Sequence, residues 1–132
     1  MRVVNKEKLK VASLFCGCGG TDVGILGDFD YLGKHYSSNN TEIVYANDIE
    51  QSTCDIFEKD FGIKPDNRDI RTVSSDELPE FDVLTGGFPC QSFSIVAQNR
   101  NDLVLKMKKG CSFLKCAEFL EKGNPNVLLQ KM

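Results

Sequence analysis

LKVASLFCGCGG, residues Leu9–Gly20, is an apolar run that ends in three closely spaced glycines. A short run of this kind suits a buried strand, and the glycines suit a tight turn at the strand's carboxyl end. Gly17, Gly19 and Gly20 let backbone approach a ligand closely and supply N–H donors where a helix begins. TDVGILGDF, from Thr21, opens on a residue suited to capping that helix and then leads into a loop.

Outward from there the pattern alternates. Gly27–Thr41, GDFDYLGKHYSSNNT, is polar and rich in turn residues, which predicts a surface excursion. EIVYAND, ending at Asp48, predicts a second strand. IEQSTCDIFEKDFG places Ile49, Cys54, Ile56, Phe57 and Phe61 near helical spacing, with Gly62 as the stop. IKPDNRDI holds a short third strand or its remnant, and FDVLTGG a fourth. Strand, helix and strand in alternation predict an α/β fold with a mainly parallel sheet of about four strands.

Composition bounds the function. The chain has 132 residues, room for one core, and 41% hydrophobic with 27% charged residues reads as globular. No apolar stretch approaches the length of a membrane span and no leader opens the sequence, so a cytoplasmic setting and no membrane partner are expected. Net charge is −3, from 16 basic and 19 acidic residues. A nucleic-acid binder ordinarily carries a basic surface, so either nucleic acid is not the partner or the gripping part lies elsewhere. Six cysteines contain no C-x-x-C pair, and the single histidine, His35, stands apart. Zinc and structural disulfides are therefore not expected.

Ligands of an open parallel sheet sit beyond the carboxyl ends of its strands. The glycine turn lies there after the first strand, and Asp48 after the second can accept hydrogen bonds from both hydroxyls of a ribose. Ile49 would cover an adenine face. Asp69, after the third strand, would accept from an adenine amino group, with Ile70 as apolar wall. Taken singly, Asp48 reads as a helix cap and Asp69 as the close of a turn. Behind one glycine turn, together, they favour an adenosine site.

GGFPCQSFS, residues 86–94, sets Cys90 on a loop after the fourth strand, at the same sheet edge. A nucleophilic thiol needs such an exposed loop. With FCGCGG, YANDIEQ and NRDI before it, in that order and spacing, this element resembles the DNA cytosine-5 methyltransferases, over roughly residues 9–99. The G-F-P-C-Q element is highly specific; the glycine turn is not. The resemblance implies a partial Rossmann-like fold that binds S-adenosylmethionine, with Phe15, Gly17, Gly19 and Gly20 at the cofactor turn. It implies Asp48 on the ribose, Ile49 on the adenine, and Asp69 with Ile70 at the adenine edge. Many relatives carry glutamate in place of Asp48 and a large aromatic in place of Ile49. Cys90 is implied to add to C6 of a cytosine swung out of double-stranded DNA, activating C5 for methylation. Pro89 stiffens the loop, and Gln91, Ser92 and Ser94 are implied on the DNA side.

Full members of the family continue with further motifs, among them E-N-V, whose glutamate protonates cytosine N3. The tail from Asn101 does not match them as written. Shifted by one nucleotide, with permitted codons, it resembles the expected segment along its length. Residues 100–132 are therefore expected to be an out-of-frame translation, or, as protein, an amphipathic helix Cys111–Lys122 stopped by Gly123. The whole reads as a truncated N-terminal piece of a restriction–modification methyltransferase, bacterial or phage, inactive alone and marginally stable. A complementing C-terminal half and a cognate restriction endonuclease are its expected partners. A cofactor-binding module without transfer is the main alternative. A dinucleotide oxidoreductase rests on the glycine turn alone, and F-P-C-Q opposes it.

Overall fold

The structure, a computed structural model, describes residues 7–87, 116 and 118–121, and the backbone of 127–130. Six strands are found among the described residues: β1 (Leu9–Leu14), β2 (Phe29–Tyr31), β3 (Lys34–Tyr36), β4 (Thr41–Asn47), β5 (Val83–Gly86) and β6 (Val127–Gln130). Helices α1 (Gly20–Leu26) and α2 (Gln51–Phe61) precede and follow β4, and residues 116 and 118–121 are helical. The main sheet runs β4-β1-β5-β6, parallel throughout. Leu14 pairs with Asn47 and Gly86, and Gly86 with Gln130, so the four carboxyl ends lie along one edge.

β1 is central because its last four residues are shut off from water: Val11, Ala12, Ser13 and Leu14 are all fully buried. Its alternate residues serve two layers. On one face Val11, Ile43 and Val83 pack with Phe57 of α2 and with Ile25 and Leu26 of α1. On the other, Ala12, Leu14 and Leu84 pack with Ile70, Val73, Phe81, Cys116 and Phe119. The buried hydroxyls of Ser13 and Thr85 share a hydrogen bond of 3.3 Å across β1 and β5.

Handedness explains this division. Moving outward from β1 through β4 to residue 66 puts both helices on one face. Returning from 66 to β5 puts the return segment on the other, as right-handed crossovers require. That segment is two short 3-10 turns, Ile70–Thr72 and Ser75–Glu77, the second closed by a Ser74–Glu77 capping box. The chain reverses direction across the sheet between β1 and β5, where doubly wound folds hold ligands.

Two local expectations change, and of the third strand only the remnant is found. The third strand survives only as a single parallel bridge, Asn47 to Asp66. Side chains take over its ladder, because the Asn47 amide bonds the carbonyls of Asp66 and Arg68. The excursion over 27–41 contains a hairpin, β2–β3, closed by a Phe29–Tyr36 stack at 5.0 Å. Thr21 does not cap α1; it lies within the helix, and the cap is Gly19 in the left-handed region at φ 87°. Gly62, by contrast, stops α2 as expected, at φ 69°, its N–H bonded to the Glu58 carbonyl.

Candidate functional site

The turn after β1 is built from left-handed residues: Phe15 at φ 53°, Gly17 at 57° and Gly19 at 87°. Each glycine there answers a different demand. A side chain on Gly19 would meet the Phe61 ring at 2.1 Å, so α2 packing forbids one. A side chain on Gly17 or Gly20 would meet nothing within 4 Å. Open space therefore lies over these two, at the edge where ligands bind. Phe15 is half-buried and packs toward the core beneath the turn.

Asp48, just past β4, ties this turn down. Its Oδ2 accepts from the Gly17 N–H at 2.8 Å, and its Oδ1 from the Glu50 N–H at 3.0 Å. The Cys16 N–H also donates to the Asn47 carbonyl at 3.0 Å, so the glycine turn and the end of β4 form one unit. Each carboxylate oxygen retains acceptor capacity beyond these bonds. Ile49 beside it is 66% exposed, an apolar side chain left in water at the lip of the site.

Asp69 lies on the neighbouring loop. Arg71 grips it through Nε at 2.9 and 3.0 Å and through a further Nη2 contact, and the Arg71 N–H donates at 2.9 Å. The guanidinium holds the Asp69 carboxyl down at about 2. Asp69 also caps the first 3-10 turn, as the turn reading had it. Ile70, beside it, is 4% exposed and packs with the core cluster behind the loop. The structure thus brings Phe15, Gly17, Gly19, Gly20, Asp48 and Ile49 together, sets Asp69 on the adjoining loop, and packs Ile70 with the core. Pro89, Cys90, Gln91, Ser92 and Ser94 lie outside the described residues. The same holds for Cys111–Lys122, apart from 116 and 118–121.

Other groups here were not singled out by their sequence. Cys18, within the turn, is an exposed thiol. Asp22 in the first turn of α1 is fully buried. Burial pushes the Cys54 thiol up, and its Sγ donates to the Asp48 carbonyl at 3.3 Å. Arg68 bridges Asp66 at 2.8 Å and Glu77 at 2.9 Å and holds Asp66 below the usual carboxylate range. Burial, and then Asp66, push the Tyr45 phenol up. Asn47 and Asn67 stood in plain view in YAND and NRDI, but amides carry no chemistry of their own to mark them. No group of metal-binding side chains is found among the described residues.

Comparison with known proteins bears on the family and the fold. The family model for C-5 cytosine-specific DNA methylase matches residues 9–130. Type II methyltransferase M.NgoFVII of Neisseria gonorrhoeae is 29% identical over 127 residues, taking in 95% of this chain and 30% of that protein. Type II methyltransferase M.Bsp6I of Bacillus sp. (strain RFL6) is 32% identical over 120 residues, 91% of this chain and 34% of that protein. The fold matches a crystal structure of S. pombe Dnmt2 methyltransferase with a TM-score of 0.62 at 21% identity, over 93% of this chain and 35% of that one. The chain spans about a third of the length of the curated relatives it matches. The family match runs past residue 99, where the sequence reading ended the resemblance, and continues through the tail as written. With its parallel sheet, its glycine turn and the acid tied across it, the chain belongs to the C-5 cytosine-specific DNA methylase family.

Proposed function

We propose that this chain supplies the S-adenosylmethionine site and the nucleophile of a DNA (cytosine-5-)-methyltransferase. The observation that carries the cofactor reading is the open space over Gly17 and Gly20, bounded by the Asp48 carboxylate and the exposed Ile49. A carboxylate with spare acceptor capacity suits a ribose diol, and an exposed aliphatic side chain suits the face of a purine. S-adenosylmethionine, when bound, supplies a methyl group on a positively charged sulfur, an electrophile for an electron-rich carbon. The residues here orient its adenosine: backbone at Gly17 and Gly20 gives close approach, Asp48 accepts from the ribose, and Ile49 shields the base. For Asp69 to receive the adenine amino group, its second acceptor sites must serve, since Arg71 occupies the first.

Cys90 stands four residues after Gly86, the last residue of β5. In the proposed reaction its thiolate adds to C6 of an extruded cytosine, and electron density moves to C5. After C5 is methylated, loss of the C5 proton expels the thiolate and restores the aromatic ring. Pro89 restricts the backbone before the nucleophile, and Gln91, Ser92 and Ser94 are proposed to face DNA. Double-stranded DNA is the substrate of the complete enzyme, in a bacterial or phage restriction–modification system with a cognate endonuclease.

A second reading rests on the cofactor-side geometry alone, the open space over Gly17 and Gly20 beside Asp48. The 132 residues alone bind cofactor without transferring its methyl group, and a second polypeptide completes the enzyme. Titration calorimetry with S-adenosylmethionine tests the first part; heat of binding is expected, and its absence overturns the cofactor site. Adding a polypeptide that carries the remaining two thirds of a relative, with DNA containing 5-fluorocytosine, tests the second. A covalent protein–DNA adduct lost in Cys90→Ser is expected, and an adduct that persists in that variant removes Cys90 from the chemistry.

A further inference from the structure

Two asparagine amides bind the two loops of the proposed cofactor site to each other. Asn47, the last residue of β4 and 1% exposed, donates from Nδ2 to the carbonyls of Asp66 at 2.7 Å and Arg68 at 2.9 Å. Asn67 donates in the opposite direction, from Nδ2 to the carbonyls of Ile49 at 2.9 Å and Asp48 at 3.1 Å. It also lies 3.7 Å from the Cys54 sulfur. All four strong partners are carbonyl oxygens, so only the nitrogen end of each amide can sit there.

The clasp stands where a ladder is missing. β4 and the segment after α2 share one bridge, with the Asp66 N–H on the Ala46 carbonyl at 2.8 Å and the Asp48 N–H on the Asp66 carbonyl at 3.2 Å. Beyond it, among the described residues, side-chain amides join the loop bearing Asp48 and Ile49 to the loop bearing Asp69. The Ile49 carbonyl that Asn67 grips belongs to the exposed residue at the lip. Holding that peptide fixes where the Ile49 side chain can stand.

We propose that Asn67, with Asn47 as its counterpart, is a positioning residue for the cofactor. It sets the span between the Asp48–Ile49 loop and the Asp69 loop, and so the width of the slot for an adenosine group. The inference rests on the cofactor reading above and adds to it a residue that touches no cofactor.

The test is calorimetric titration of the whole 132-residue chain with S-adenosylmethionine, in four forms: wild type, Asn67→Ala, Ile49→Ala and the double variant. Asn67→Ala is expected to weaken binding about tenfold, the loss of one to two net hydrogen bonds' worth of ordering. In the Ile49→Ala background the same change is expected to cost under about threefold, because the side chain being positioned is gone. Gly62→Ala, which strains the α2 C-cap and touches neither Asn67 nor its partners, serves as a destabilised control, and its affinity is expected to match wild type. Should Asn67→Ala fail to fold, Asn67→Ser keeps one short donor and is expected to lose about threefold. Wild type that binds no cofactor sinks the cofactor reading and this inference together. Wild type that binds, with Asn67→Ala within twofold of it, sinks this inference alone. Equal losses with and without Ile49, or an equal loss in Gly62→Ala, reduce Asn67 to a general structural role and overturn it too.

Discussion

Gly19 and Asp69 show how differently residues at one sheet edge are constrained. Gly19 combines φ 87° with a Phe61 ring carbon 2.1 Å from where a side chain would begin. Gly19→Ala is expected to cost on the order of 2 kcal/mol or more, read as a lower urea midpoint, because neither backbone nor ring can yield cheaply. Gly17→Ala keeps only the backbone strain and is expected to cost less. Asp69 is held at about 2 by Arg71. An unfolded aspartate titrates near 4, about two units higher. The folded value is the lower one, so the stabilisation is present above about pH 4 and is lost as pH falls toward 2. Arg71→Gln is expected to flatten that limb of an acid-unfolding curve by lowering stability at pH 7, modestly since Arg71 is 57% exposed, and to leave stability near pH 2 unchanged. An unaltered acid limb would show that the pair contributes nothing.

At the scale of elements, local sequence signals succeeded wherever one residue type carried the decision. Gly62 ends α2 because a left-handed residue closes a helix cheaply only when it has no side chain. Short apolar runs placed β1, β4 and β5, because strands covered on both faces bury successive residues. Thr21 failed as a cap because the glycine turn itself enters the helix, with Gly19 already at the cap position. Thr21→Ala is therefore expected to shift thermal unfolding by under about 0.5 kcal/mol. Ser74→Ala is expected to cost about 1 kcal/mol, since Ser74 accepts from the Asp76 N–H and closes a capping box with Glu77. Reversal of that order in thermal melts would refute the assignment of the caps. The hairpin β2–β3 escaped notice because its strands are three residues each and mostly exposed. It is held by one aromatic stack and a Lys34 ammonium 5.1 Å from the Tyr36 ring, which leave no period to read.

Among the described residues, β4 and β6 are the outer strands of the four-stranded sheet, and there β4 is covered only at its carboxyl end by the bridge to Asp66. Unpaired edges recruit other chains, so the 132-residue polypeptide is expected to associate with rising concentration in light scattering. A monomer that melts sharply at high temperature would contradict this. For residues 100–132 the proposal of an out-of-frame translation stands beside a family match that continues to residue 130. Nucleotide sequence across the codons for Asn99–Asn101 checks it: a missing or extra base is expected, and an intact frame refutes it. The sequence by itself determined the parallel α/β class, the glycine turn and the family, because burial periodicity and the residue types of a reaction are local properties of the chain. It also placed Asp48 and Ile49 beside the glycine turn, since strand ends carry their loops to a shared edge. Only the tertiary structure decided that Ile70 belongs to the core, that Arg71 holds Asp69, and that two asparagines replace a strand. Those outcomes depend on which side chains meet across tens of residues, and no local pattern records such meetings.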